Sequence, residues 1–505
     1  MSHARVLIDP RSAVGPVDRR LFGSFVEHLG RCVYDGLYEP GHPTADEHGF
    51  RADVVELVRE LGVSTVRYPG GNFVSGYRWE DGVGPKDARP RRRDLAWHST
   101  ETNEVGLHEF ASWIETVGAE LMLAVNLGTR GVAEALDLLE YTNLGAGSAL
   151  SDLRVAHGRT DPFDVRMWCL GNEMDGPWQL GHCSAEEYGR IASRTAKAMR
   201  QLDPRLELVV CGSSGSQMPT FGEWERTVLL HTYDDVDYIS CHAYYEQREG
   251  DLGSFLASAV DMDRFIEDVV ATADHVRAVT RSDKTIAISF DEWNVWYQTR
   301  FENEEKIQGL DNWPVAPRLL ENVYTAADAV VVGSLLISLL NHADRVTSAS
   351  LAQLVNVIAP IMTEPGGPAW RQTTFHPFAL TSRWARGQAL RAQVACDDYD
   401  CAAYGTVPSL DAAASYDEAT GQAAVFLVNR SQDAATEVEV EMPGVGTGDV
   451  AAWTVGGADP QLTNTAQAPD RVRPVPLRAE RRDDGALTLT LPPVSWTVVA
   501  VGTPA

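Results

Sequence analysis

No run of about 18 apolar residues, the length a helix needs to cross a bilayer, occurs in this chain, so no membrane span is expected. Its most apolar segment, 326–340, is shorter and carries Asp328, Gly333 and Ser334, and it reads as a buried helix. The N-terminus lacks a basic stretch followed by an apolar one, so no secretory signal is expected and the protein is placed in the cytoplasm. Basic charge is scarce: 43 Lys and Arg against 71 Asp and Glu leave a net charge of −28. Without a basic patch, nucleic acid and anionic membranes are poor partners, whereas an uncharged substrate such as a neutral sugar is compatible. The seven cysteines (Cys32, Cys169, Cys183, Cys211, Cys241, Cys396 and Cys401) are scattered, with no CxxC pair. That excludes a paired-ligand zinc site and suits reduced, structural thiols. No HExxH occurs either, which weighs against a metallohydrolase.

What is present is a repeat. β-prone runs at 21–27, 63–69, 120–127, 164–171, 206–212, 236–243, 284–290 and 346–353 alternate with amphipathic stretches such as 52–61, 105–117, 185–202 and 261–280. Eight strands alternating with helices predict a (β/α)8 barrel of the α/β class over residues 16–385. A doubly wound open sheet gives the same alternation. It usually carries a glycine-rich phosphate turn after its first strand, and Phe22-Gly-Ser-Phe-Val-Glu-His28 is no such turn. From 386 to 505 the texture changes to short alternating runs, at 423–429, 436–442, 450–455, 486–491 and 495–501, which predict an antiparallel, jelly-roll-like β-sandwich. Residues 1–15 alternate as well and are expected to join it as an edge strand. The acidic, Ala-rich stretch 397–414 reads as a surface loop or an irregular first strand.

Two of the barrel runs end on a glutamate: Arg166-Met-Trp-Cys-Leu-Gly-Asn-Glu173 and Thr285-Ile-Ala-Ile-Ser-Phe-Asp-Glu292. A parallel barrel carries its chemistry at the C-terminal ends of its strands. A lone strand-end Glu more often pairs with an arginine or caps a helix. Two of them, at strands four and seven and each beside Asn, Asp or Trp, favour the paired carboxylates of glycoside hydrolysis.

Leu170-Gly-Asn-Glu173 together with Phe290-Asp-Glu-Trp-Asn294 resembles the α-L-arabinofuranosidases of glycoside hydrolase family 51. Six further segments agree, in order: Gly23-Ser-Phe-Val-Glu-His-Leu-Gly-Arg31, Val66-Arg-Tyr-Pro-Gly-Gly-Asn-Phe73, Asp94-Leu-Ala-Trp97, Thr102-Asn-Glu104, Cys241-His-Ala-Tyr-Tyr245 and Leu351-Ala-Gln-Leu-Val-Asn-Val-Ile-Ala-Pro360. The resemblance implies a retaining, exo-acting hydrolase of terminal arabinofuranosyl residues in arabinan and arabinoxylan oligosaccharides. It implies Glu173 as acid/base and Glu292 as nucleophile, with no metal or organic cofactor, and a homo-oligomer, a hexamer in such families.

Around the pair, the resemblance places Glu27, Asn72, Asn172, His242, Tyr244, Trp296, Gln353 and Trp97 on the sugar or beside it. Five of them have a plainer reading. Glu27 can pair with Arg31 or Arg67, Asn72 can be a left-handed turn residue after Gly70-Gly71, and Tyr244 can be a rim aromatic. His242 can be a satisfied strand-end histidine, and thirteen tryptophans leave Trp97 ambiguous. The loops 79–98 and 297–316 are expected to set linkage preference. Two rival readings stand beside the furanosidase: a barrel hydrolase of β-xylosides or β-glucans, and a catalytically silent sugar-binding protein, for which both glutamates would be superfluous.

Overall fold

The structure, a computed structural model, describes residues 2–445 and 448–502. Eight parallel strands close a barrel: β1 (Gly23–Phe25), β2 (Thr65–Tyr68), β3 (Glu120–Val125), β4 (Met167–Leu170), β5 (Glu207–Val210), β6 (Tyr238–Tyr245), β7 (Ala287–Val295) and β8 (Val346–Leu351). Closure comes where Ser350 and Leu351 of β8 pair with Gly23 and Ser24 of β1. The strands are largely apolar because both their faces are covered. Met167, Cys169, Met122, Ala124 and Val209 fill the interior, while Trp168 and Leu170 meet the outer helices. Those helices include Ala52–Leu61, Leu107–Val117, Ala185–Leu202 and Ala259–Thr280. Ser184 caps the third of them by accepting from the Glu187 N–H, and the Glu187 carboxylate reaches back to the Ser184 N–H, a reciprocal cap that starts the helix at a defined residue.

A ten-stranded sheet, mostly antiparallel, forms the second layer. Its alternating apolar residues, among them Val425, Leu427, Leu487, Leu489 and Val499, enclose a core of their own. The N-terminal strand Ser2–Pro16 belongs to this sheet but not at its edge. It runs between Gln388–Ala395, antiparallel, and Thr436–Glu441, parallel. Ala4, Val6 and Ile8 point into the sheet core, and pairing on both sides satisfies the backbone groups that an edge would leave open. Residues 397–414 are also more regular than their composition suggests. They form a hairpin, Asp398–Cys401 with Gly405–Pro408, followed by the strand Leu410–Asp417. Alanines suit that strand because both faces are covered: Ala412 and Ala414 join the sheet core, and Ala413 joins the barrel core.

Helix Ala326–Asn341 lies between the barrel and the sheet, and its residues from Ala326 to Leu340 are buried all round. That double coverage explains an apolar composition without an amphipathic stripe. Close approach at Gly333 makes the contact possible, since a Cβ built there would lie 2.2 Å from the Trp496 ring. Gly333→Ala is expected to lower stability by about 1–3 kcal/mol through overpacking, seen as a lower Tm. Turnover of the folded variant stays unchanged; an unaltered melting curve would refute the tight contact. All seven cysteines are free. Among the described residues no helix is long and apolar enough to cross a membrane.

Candidate active site

The C-terminal ends of the barrel strands surround a cavity of about 480 Å³. Glu27, Asn72, Trp97, Glu173, Tyr244, Glu292, Trp296 and Gln353 line it, and Asn172 and His242 are buried directly behind. Thus the residues singled out in the sequence converge from six barrel strands and one loop. The loops anticipated at 79–98 and 297–316 interlock above it. His98 stacks on Trp313 at 3.8 Å, and Thr100, just past the first loop, donates from its N–H to the Pro314 carbonyl.

Glu173 follows β4 after the turn at Gly171, with a left-handed φ of 45° that is uncommon outside glycine. One of its oxygens accepts from Trp178 Nε1 at 2.8 Å, and the other faces His242 Nδ1 at 2.8 Å. Glu292, on β7, accepts from Arg67 Nη1 at 2.7 Å and from the Tyr244 hydroxyl at 2.7 Å. Oxygen atoms of the two glutamates lie within 4.8 Å of each other. Burial, reinforced by the Glu292 charge, pushes the Tyr244 phenol well above its ordinary range, so it remains a donor to Glu292.

A break in register brings one more acid into this cluster. Successive strand residues normally point to opposite faces. The pairing of β7 with β6 shifts between Ser289 and Glu292, so the neighbouring Asp291 and Glu292 both reach buried partners around the site. Such a bulge re-aims a side chain. Asp291 Oδ1 lies 2.8 Å from His242 Nε2, and Arg67 Nε lies 3.8 Å from its other oxygen. Burial alone would lower the pKa of His242. The charge of Glu292, with hydrogen bonds to Asp291 and Glu173, instead raises it well above the ordinary histidine value. Both ring nitrogens face a carboxylate oxygen, an arrangement that favours the protonated ring. Glu173, His242 and Glu292 are near enough together to hold a metal ion, which only the deprotonated ring would ligate.

Glu27, after β1, pairs with neither arginine suggested for it. Arg31 binds Glu321 and Arg67 binds Glu292. Glu27 instead accepts from the Phe73 N–H at 2.7 Å, Trp97 Nε1 at 2.9 Å and Gln353 Nε2 at 3.1 Å. The glycine pair after β2 permits this, since a Cβ on Gly70 would come within 2.6 Å of the Glu27 side chain. The left-handed turn there is at Gly70, with φ 115°, and not at Asn72. Asn72 faces the cavity, and its Oδ1 accepts from Asn172 Nδ2 at 3.3 Å. Asn172 in turn accepts from Arg67 Nη2 at 2.5 Å. Trp296 packs edge-on against Tyr244, with ring centroids 4.9 Å apart. Trp296 Nε1 and Gln353 Oε1 are buried without a hydrogen-bond partner among the described residues, the kind of groups that hydroxyls of a ligand would satisfy.

Burial pushes the Glu27 carboxyl up to about 8, against the lowering effect of its hydrogen bonds to Phe73 and Trp97. A folded-state pKa above the ordinary 4.5 means that stability is full below that ordinary value and is lost as pH rises through 8. Glu27→Gln should remove that loss. The Tm difference between wild type and variant is expected to shift in favour of the variant between pH 5 and pH 9, as thermal melts at the two pH values would show. A difference independent of pH would contradict the assignment.

Three contributors escaped the sequence reading in this form: Arg67, Asp291 and Trp178. The first two are interior strand residues whose partners are remote in sequence. Trp178 carried a faint signal, an aromatic five residues past a strand-end glutamate.

Comparison with known proteins follows the same lines. Residues 57–268 match the family model described as α-L-arabinofuranosidase 1 domain, and residues 291–495 match that of the α-L-arabinofuranosidase C-terminal domain. An intracellular exo-α-(1→5)-L-arabinofuranosidase of Streptomyces lividans is 60% identical, over 100% of this chain and 76% of the relative. An exo-α-(1→6)-L-arabinofuranosidase of Bifidobacterium longum is 58% identical, over 99% of this chain and 98% of its own. Among solved structures, a family 51 α-L-arabinofuranosidase from Bifidobacterium longum superposes with a TM-score of 0.95 at 51% identity, covering 99% of this chain and 100% of the other. The α-L-arabinofuranosidase of Thermotoga maritima in its arabinose complex gives 0.86 at 33% identity, with both chains covered completely.

Proposed function

The chain belongs to the α-L-arabinofuranosidases of glycoside hydrolase family 51, and from that premise we propose that it removes single terminal α-L-arabinofuranosyl residues by double displacement, with retention of configuration. Its substrates are arabinan and arabinoxylan oligosaccharides. The observation that carries the retaining mechanism is the proximity of the two carboxylates. Oxygens within 4.8 Å accord with the roughly 5–5.5 Å separation of retaining enzymes rather than with the roughly 6.5–9.5 Å of inverting ones.

Glu292 is the nucleophile. Arg67 and Tyr244 each engage one of its oxygens, which holds it aimed at the anomeric carbon. Glu173 is the acid/base. As the acid of the first step it has to bring a proton to the bond that breaks. It gives that proton to the glycosidic oxygen as the Glu292 ester forms. The ester has lost the charge of Glu292, so Glu173 is free to stay ionised and to deprotonate the attacking water. Glu27, Asn72, Asn172, Gln353, Trp97 and Trp296 bind the furanose. Its hydroxyls meet the orphan groups of Gln353 and Trp296, and a hydrogen bond from Asn172 to the 2-hydroxyl strengthens in the transition state.

The two carboxylates supply the whole reaction, with no cofactor. Relatives named intracellular support a cytoplasmic enzyme that receives short imported oligosaccharides. Membership of the family supports a homo-oligomer, taken as a hexamer and checked by light scattering. The catalytic test is hydrolysis of 4-nitrophenyl α-L-arabinofuranoside followed by proton NMR. The α-anomer of arabinofuranose appears first if configuration is retained. A β-anomer first, or turnover of a xyloside but not of the furanoside, would sink the reading.

A further inference from the structure

A second depression opens beside the active-site cavity, with a volume of about 670 Å³, within the range of about 300–1,000 Å³ usual for ligand sites. The two share Ser214, Tyr244 and Gln298 in their linings, so they lie side by side. Ser214 follows β5, between β4, which carries Glu173, and β6, which carries Tyr244. Its N–H and hydroxyl both bond Asp175, which holds it in place.

We propose that this groove holds the leaving-group chain of the oligosaccharide, beyond the sugar next to the cleaved bond. The inference rests on the function proposed above and names where the rest of the substrate goes. A sugar whose glycosidic oxygen takes the proton of Glu173 departs on the Glu173 side of the cavity, and Ser214, which lines both depressions, sets the groove next to that side. Its floor is polar: Asp261 accepts from the Tyr245 hydroxyl at 3.1 Å and from Ser216 Oγ at 3.3 Å. Gln217 and Glu246 add further groups for hydroxyls.

The far side comes from the other domain. The hairpin Asp398–Cys401/Gly405–Pro408 reaches over from the sheet layer and sets Ala402, Ala403 and the half-buried ring of Tyr404 along the groove. It is pinned to helix Leu252–Leu256, because Tyr399 donates to the Gly253 carbonyl at 2.8 Å and the Ala403 N–H donates to Ser254 Oγ at 3.0 Å. An aromatic face above a hydroxyl-binding floor suits an uncharged pentose chain. Glu246, Glu249, Asp251 and Asp261 against the single Arg248 disfavour uronate-bearing chains. The β-sheet domain thereby acquires a part in substrate choice. Two relatives of nearly equal identity to this chain are named for different linkages, in keeping with selectivity read outside the furanose pocket.

The test compares α-1,5-linked arabino-oligosaccharides of two to five residues for wild type, Ala402→Trp and Tyr404→Ala, with 4-nitrophenyl α-L-arabinofuranoside as control. Ala402 is exposed, so tryptophan there narrows the groove without disturbing a core. Wild-type kcat/KM is expected to rise about tenfold with chain length, the equivalent of roughly 1.4 kcal/mol of added contact. Both variants should flatten the series while leaving the nitrophenyl rate unchanged. If Tyr404→Ala does not fold, Ala402→Trp alone decides. A flat wild-type series, or a length dependence that survives the variants, overturns the groove assignment. Absence of nitrophenyl furanoside turnover in wild type would instead overturn the catalytic reading.

Discussion

Glu292→Ala should lower kcat on 4-nitrophenyl α-L-arabinofuranoside by about 10⁴–10⁶-fold, the scale on which loss of a nucleophile is felt. The substitution leaves Arg67 and Tyr244 aimed at an empty space beside the anomeric carbon, with no atom to form the ester. Added azide can occupy that space and attack from the same face, and the product is then a glycosyl azide of inverted configuration. An azide product of retained configuration, or a rate within tenfold of wild type, would place the nucleophile elsewhere. Folding serves as the control, because Arg67 keeps Asn172 and Asp291 as partners when Glu292 is shortened.

The second large effect is at Glu173. Glu173→Ala is expected to cost about 10²–10⁴-fold, the range for a positioned acid/base, on oligosaccharides with a poor leaving group. The loss in the first step is smaller for the nitrophenyl substrate, whose leaving group needs no proton, and the ester then accumulates. Azide captures that ester without base assistance, which restores turnover and yields a glycosyl azide of retained configuration. The alkaline limb of the kcat/KM profile should disappear as well. Equal losses on both substrates with no azide rescue would exclude the acid/base role. His242 and Trp178 bond the two Glu173 oxygens in wild type and hold it in place, so their contribution shows in the same profile.

Much of this architecture was legible in one dimension. A parallel strand covered on both faces tends to be apolar, so each of the eight barrel strands stood out as a run, and polar residues toward its end marked the rim. Glu173 and Glu292 were visible for that reason, as were Glu27 and Asn72 after the first two strands. Less legible were the sheet strands whose composition is bland. Leu410–Asp417 is rich in alanine because a neighbouring helix crowds one face and the sheet core the other. Central placement of Ser2–Pro16 could not be read either, since an alternating strand looks alike at an edge and in the middle of a sheet.

By itself, then, the sequence determined the eightfold repeat, the strand ends that carry carboxylates and the change to an alternating pattern near residue 386. Each is a local consequence of which faces are buried. Only the tertiary structure decided the partners: that Arg67 serves Glu292 and not Glu27, that a bulge in β7 sets Asp291 against His242, and that a hairpin from the sheet walls the groove beside the active site. Those pairings join residues from 49 to 225 positions apart. They follow from barrel closure and strand register, which no local pattern of residues encodes.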